Sequence, residues 1–139
     1  KQSKIKIYII NFTKKNNLDN KLLEKLSYNK INLICLAGFM KILSINFIKK
    51  YKKPILNIHP SLLPKYKGLN THKRVINNKE KFSGSTVHIV SGKLDSGRII
   101  LQKKIKVSKY DNAKTLEKKI LKVEYKLYPK AIKKFLTNL

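Results

Sequence analysis

Asn32-Leu33-Ile34-Cys35-Leu36-Ala37-Gly38 is continuously apolar after its first residue and stops at a glycine. Pro54-Ile55-Leu56-Asn57-Ile58-His59-Pro60 repeats that form, with two polar residues set into it and a proline at its end. Apolar runs without alternation suit strands covered on both faces, as in a parallel sheet. Between them, Ser44 stands where an N-cap belongs, before a short helix reaching about Lys52. Strands alternating with helices predict an α/β domain with a largely parallel sheet.

Working outward, Lys4 to Ile10 alternates lysine or tyrosine with isoleucine, the period-two pattern of a half-exposed strand. From Leu18 to Asn29, the residues Leu18, Leu22, Leu23 and Leu26 share a helical face, with Asp19 near its start. After the second apolar run, residues 60–69 read as a loop holding Pro60, Pro64 and Gly68, and a helix follows from Thr71 to Asn78. Ser83 to Val90 and Arg98 to Val107 read as strands joined by a turn at Gly92 to Gly97. Thr115 to about Leu127 is helical, Pro129 interrupts it, and a last helix runs to the C-terminus. No repeat or Pro/Gly-rich linker divides the chain, so residues 1–139 are expected to form a single domain. Its sheet should be mostly parallel and twisted, with a late antiparallel strand and flanking helices. In such sheets ligands bind at the carboxyl ends of strands.

Composition narrows the function classes. The longest strongly apolar run, Leu33 to Met40, is far short of the ~20 residues that a membrane helix needs. The only cysteine, Cys35, lies inside an apolar segment and reads as a small core residue, which suits a reducing, cytoplasmic setting. The formal net charge of +26 suggests nucleic acid. Yet only Arg74 and Arg98 among the 33 basic residues are arginine, the side chain that bidentate phosphate and base recognition favours. Lysine, isoleucine and asparagine, all served by AT-rich codons, make up 62 of the 139 residues, and the lysines are scattered through every segment. A compositionally biased genome explains the charge better than an RNA-binding role. The positive surface would still steer anionic small molecules toward a cleft.

The chemistry-bearing residues sit at strand ends. Asn57 and His59 are spaced i, i+2, so both side chains leave the same face. An asparagine amide can donate to a developing oxyanion, and a histidine can give or take a proton near neutral pH. The plainer reading is that both cap the strand. Asp95, in Leu94-Asp95-Ser96-Gly97, reads locally as an ordinary turn aspartate. It is one of only seven carboxylates, and placed near His59 it could orient the imidazole. His88 alternates with Val87 and Ile89 and is expected to face away from them. His59, His72 and His88 are spaced for no helical metal pair, so no metal is expected. No GxGxxG, P-loop or nucleophile-elbow motif occurs.

Two longer stretches go further. Leu36-Ala37-Gly38-Phe39-Met40-Lys41-Ile42-Leu43-Ser44 leads to Leu56-Asn57-Ile58-His59-Pro60-Ser61-Leu62-Leu63-Pro64-Lys65-Tyr66-Lys67-Gly68-Leu69. Later, Ser83-Gly84-Ser85-Thr86-Val87-His88 leads to Lys93-Leu94-Asp95-Ser96-Gly97-Arg98-Ile99-Ile100-Leu101-Gln102. Together they closely resemble the glycinamide ribonucleotide formyltransferase family, from about residue 31 to 132 and more loosely back to residue 4. The resemblance implies a Rossmann-like formyltransferase fold and transfer of a formyl group from 10-formyltetrahydrofolate, as co-substrate, to the primary amine of glycinamide ribonucleotide. Asn57, His59 and Asp95 match the family's catalytic residues, and Glu124 its contact to the substrate amine. Met40, Lys41, Ile42 and Leu43, with Val90, Ser91, Gly92 and Leu94 opposite, match the folate pocket. Residues 60–72, Gly68 among them, match a mobile loop beside the site, and His88 a supporting position.

Departures from the family pattern carry their own expectations. The family's initial strand and its glycine/serine/asparagine phosphate loop have no counterpart, and the chain starts with lysine, which implies a partial sequence. Asn70 stands where the family often has histidine. The rivals are methionyl-tRNA formyltransferase, whose tRNA the charge would suit, and a folate deformylase using water in place of the amine. Pro60 to Pro64 together with Glu124 favour the ribonucleotide enzyme. The remote rival, a non-catalytic basic RNA-binding module, would have no need for Asn57, His59 and Asp95 to converge.

Overall fold

A computed structural model of the chain describes residues 5–10 and 18–138. The elements run α1 (Leu18–Tyr28), β1 (Ile34–Leu36), α2 (Ile45–Tyr51), β2 (Ile55–His59), α3 (Thr71–Asn77), β3 (Phe82–Ile89), β4 (Ile99–Lys106) and α4 (Ala113–Leu136). The strands form one sheet in the order β1-β2-β3-β4.

β1 and β2 pair in parallel across α2, with Ile34 opposite Ile55 and Leu36 opposite Asn57. β2–β3 and β3–β4 are antiparallel. The described strands therefore make a mixed sheet, and the expected mostly parallel character is confined among them to β1–β2. The reason is connectivity: α2 returns the chain for a parallel β2, whereas residues 60–81 deliver β3 from the opposite end.

Alternate residues of β2 serve two layers. Ile55 packs with Phe47 and Tyr51 of α2, joined by Leu22, Leu23 and Leu26 of α1, Ile34, Leu36, Leu43 and Val90. Ile58 packs on the other face with Val87, Leu127, Ala131 and Tyr128. A third cluster of Val75, Leu116 and Ile120 joins α3 to α4. The side chain of Leu18, expected on the same face of α1, lies outside the described residues. Ser44 caps α2 as expected, accepting from the Phe47 amide and donating to Asp19, which fastens α2 to the start of α1.

Three further expectations are corrected. Lys4 lies outside the described residues, and residues 5–10 form no strand; Ile5, Ile7 and Ile9 are 76%, 83% and 88% exposed. A period-two pattern makes a strand only where a neighbouring edge offers hydrogen bonds, and no described strand does so here. Cys35 is exposed, not core. It occupies the outermost described strand on the face opposite Ile34 and Leu36, where α4, packed mainly over β3 and β4, reaches it through Tyr128 and covers it only in part. Burial still raises its thiol above the ordinary range, opposed by a hydrogen bond with Tyr128.

Pro129, finally, does not divide the last helix. α4 runs unbroken through it, started by a reciprocal capping box between Asn112 and Thr115. The buried stripe Leu116, Ile120, Leu127, Ala131 and Phe135 extends on both sides of the proline. Burial of these side chains, worth about 1.5–3 kcal/mol each for the large ones, outweighs the ~3 kcal/mol a mid-helix proline costs.

Candidate active site

The site forms where β2 ends beside β3. Antiparallel register places Asn57 opposite His88 and His59 opposite Thr86. The β3–β4 ladder slips between Val87 and His88, a bulge that falls at the site and breaks the regular pairing there. The 90–98 connection then brings Asp95 back over both histidines. Asp95 Oδ2 lies 3.4 Å from His59 Nδ1, and its Oδ1 lies 3.7 Å from His88 Nε2. Asn57, His59, Asp95 and His88, singled out in the sequence, thus converge, with His59 and His88 both buried.

Their hydrogen bonds fix which atoms are free. His88 Nδ1–H donates to the Ile89 carbonyl at 3.1 Å, so Nε2 keeps its lone pair and accepts from the Asn57 amide at 3.3 Å. Burial, the leading cause, lowers the pKa of His88 and favours this neutral form. The Asn57 amide keeps a second N–H for another acceptor. His59 Nε2–H donates to the Tyr66 carbonyl at 2.9 Å. Nδ1 is therefore the ring position left to exchange a proton, and it faces Asp95. The expectation that His59 simply donates to substrate is narrowed to that nitrogen.

Glu124 lies behind the pair. The Ser85 hydroxyl sits between the His59 carbonyl at 3.0 Å and Glu124 Oε1 at 3.1 Å, with one hydrogen to share. Burial raises the carboxyl pKa of Glu124 and the Ser85 hydrogen bond partly offsets it. No Lys or Arg bridges Glu124 among the described salt bridges. A cationic ligand group would relieve that carboxylate.

The two segments matched to a folate pocket also meet. Leu43 and Val90 pack on the same core cluster, and a Cβ on Gly92 would stand 3.6 Å from Ile45 Cγ1. Met40 and Ile42 are 82% and 76% exposed beside them, and Leu94 is half-exposed, 3.6 Å from where a Gly68 Cβ would lie. Lys41 and Ser91 lie in these segments; the Ser91 hydroxyl donates to the Lys93 carbonyl at 3.2 Å.

Sequence reading missed several contributors. Thr86, fully buried, accepts from the Leu63 amide and from Gln102, and donates to the Ser61 carbonyl, which ties the 60–66 loop to β3. The signal was present in Ser85-Thr86: buried hydroxyls in a strand generally find partners, as these two do, although the Ser83 hydroxyl in the same strand has none among the described residues. Gly84 belongs to the same packing, since a Cβ there would lie 2.1 Å from the Lys103 carbonyl oxygen. The Tyr66 carbonyl had no sequence signal, because it is backbone. His72, of the expected non-metal histidines, lies on α3, and burial lowers its pKa. Among the described residues no cluster of three or more His, Cys, Asp or Glu side chains could hold a metal ion, and no helix is long and apolar enough to cross a membrane.

At the end of β2, an amide donor and an imidazole paired with a carboxylate thus stand near a half-buried carboxylate of α4 that no cation neutralises among the described salt bridges. The Formyl transferase family pattern matches residues 2–132, and the chain belongs to that family. Within it, the chain is 42% identical over 125 residues to the phosphoribosylglycinamide formyltransferase of Haemophilus influenzae, covering 90% of this chain and 59% of that one. Among solved structures, the phosphoribosylglycinamide formyltransferase of Brucella melitensis superposes with a TM-score of 0.82 at 44% identity, over 89% of this chain and 64% of that one. The Streptococcus pneumoniae enzyme of the same name gives 0.84 at 34% identity, over 90% and 69%. The chain thus spans about three-fifths of the length of the Haemophilus relative it matches.

Proposed function

We propose that this chain carries the transfer centre of a phosphoribosylglycinamide formyltransferase. It would move the formyl group of 10-formyltetrahydrofolate to the primary amine of glycinamide ribonucleotide, in the cytoplasm, for purine synthesis. The observation that carries this reading is the convergence of Asn57, His59 and Asp95, with His59 Nδ1 3.4 Å from Asp95. The relatives' names support the same choice of reaction.

Glu124 would receive the substrate amine as an ion pair, take up its extra proton so that the nitrogen lone pair is free, and hold it in reach of the formyl carbon, lowering the entropic part of the barrier. Attack forms the new C–N bond and places negative charge on the formyl oxygen. The free Asn57 N–H donates to that oxygen, joined by Nδ1–H of protonated His59, and both interactions strengthen as charge develops. The amine then loses a proton toward Asp95, through water. Collapse breaks the bond to the folate nitrogen, which takes a proton as it leaves. Exposed Met40, Ile42 and Leu94 would cover the pterin ring, alongside Lys41, Leu43, Val90, Ser91 and Gly92. Every step is assigned to side chains, without a metal.

Absorbance of released tetrahydrofolate, with and without glycinamide ribonucleotide, tests the proposal. Amine-dependent release that falls on the order of 10²–10³ in Asn57→Ala is the expected outcome. Release without the amine would make the chain a deformylase, and silence even when joined to the N-terminal segment of a longer relative would refute the reading.

A further inference from the structure

His59 and Asp95 take their loop partners from a few residues of backbone. The Tyr66 carbonyl accepts from His59 Nε2, and the Gly68 amide donates to Asp95 Oδ2 at 2.9 Å. That backbone is unusual: Tyr66, Gly68 and Asn70 all have left-handed φ, at 56°, 76° and 57°. Glycine adopts that region freely and asparagine readily, so it is Tyr66 that must be held there by its surroundings.

The holding comes from α3 and the segment after it. Arg74 Nη1 donates to the Lys67 carbonyl at 2.7 Å and reaches toward the Leu69 carbonyl at 3.5 Å. Its guanidinium also stands 5.2 Å from the centre of the Tyr66 ring. Beyond that ring, the Tyr66 hydroxyl donates to Glu80 at 2.9 Å and accepts from Asn78 at 2.9 Å. Tyr66 is thereby gripped at ring and hydroxyl, while the carbonyls on either side of Gly68 are tied by one planar group. Both contacts come from the two in-plane hydrogens of one guanidinium nitrogen, whereas the three donors of an ammonium have no plane to hold them in that geometry.

We propose that Arg74 is a positioning residue for formyl transfer: it fixes the 66–70 backbone whose Tyr66 carbonyl and Gly68 amide set the His59–Asp95 pair. Its catalytic sense rests on the function proposed above. The described contacts of Arg74 are with Tyr66, Lys67 and Leu69 and with neither His59 nor Asp95, so it acts through the loop.

Two readouts test it, one independent of turnover. In the full 139-residue chain, the His59 Nε2–H proton is followed by NMR and assigned by its absence from His59→Asn. Wild type should show it protected by the Tyr66 carbonyl. Arg74→Met, which keeps the stem and loses the donors, should lose that protection. Arg74→Lys should retain it in part. Because Arg74 is exposed, the melting temperature should change little. In the assay, Arg74→Met should lower kcat by about ten- to a hundredfold with KM for both substrates within about twofold, and Arg74→Lys should fall between. A protected resonance and unchanged kcat in Arg74→Met would overturn the proposal. Lost protection with no transfer by any form would uphold the positioning and overturn the transfer reading instead.

Discussion

His88 donates through Nδ1 to the Ile89 carbonyl and accepts from Asn57 through Nε2, so a proton on Nε2 would remove the acceptor that aims the Asn57 amide. The new N–H would turn toward Asp95 Oδ1, 3.7 Å away. Burial, His59 and Lys67 oppose that protonation, while the Ile89 carbonyl and Asp95 favour it, and the balance lowers the pKa. A histidine with a depressed folded pKa contributes stability above its ordinary value of 6.5 and loses it as pH falls through the lower folded value. Turnover should therefore fall on the acid side below pH 6.5, and in His88→Gln that limb should vanish from the pH–rate profile, at a lower plateau. A limb unchanged in His88→Gln would assign it to another group. Glu124 has the opposite sign. Its folded pKa is raised, so its contribution is full below the ordinary 4.5 and is lost as pH rises through the folded value. Glu124→Gln should raise the melting temperature at pH 7 and leave it unchanged at pH 4, while weakening binding of the amine substrate. Equal effects at both pH values would show that the carboxylate is not the source of the cost.

The elements were legible in the sequence where local pattern and tertiary packing agree, and α4 shows where they part. The Pro129 ring removes one backbone donor, and the carbonyl four residues earlier belongs to exposed Tyr125, where water can serve it. The preceding Tyr128 hydroxyl donates to the carbonyls of Leu36 and Leu56, at 2.9 and 3.1 Å, and fastens the helix to two strands. Such long-range anchoring is invisible to a local rule about proline. Pro129→Ala should restore one helical hydrogen bond and stabilise the fold by about 1–3 kcal/mol, after the unfolded chain regains freedom. Thermal unfolding reads this as a rise of several degrees; no rise would mean that the Tyr128 contacts depend on the proline's bend. The same division runs through the rest of the fold. Ser44, β2 and the Asn57–His59 spacing were readable because their meaning is local. Cys35 was misjudged because its burial depends on where α4 lies, and residues 5–10 because a strand needs a partner that no pattern supplies. The site divides likewise: Asn57, His59 and Asp95 stood out as polar residues at strand ends, whereas Tyr66 enters through its carbonyl and Arg74 through a fold that returns it to the loop.

On the scale of the whole molecule, the charge of +26 is not spread as evenly as the lysine count suggests. Along exposed positions of α4, Lys114, Lys118, Lys122, Lys126, Lys130 and Lys134 recur every fourth residue, making an unbroken ridge. Like charges at i, i+4 destabilise a helix by roughly 0.2–0.5 kcal/mol per pair, and none of the six has an acidic partner among the described salt bridges. The only described ion pair on this helix, Lys119–Asp111 at 2.8 Å, lies off that ridge. Salt shortens the reach of repulsion to about 3 Å at 1 M from about 10 Å at 0.1 M. Added sodium chloride should therefore raise the melting temperature, the reverse of a fold that depends on surface ion pairs. Lys118→Glu with Lys126→Glu turns four repulsive i, i+4 contacts of the ridge into attractive ones, so the double variant should melt higher at low salt and respond less to added salt. Catalysis should be indifferent to the change, because the ridge faces solvent and the site faces the sheet. If the double variant melts no higher than wild type, the ridge is already neutralised by bound anions. Binding of RNA that weakens steeply with salt and is lost in the same variant would then identify a polyanion as the occupant.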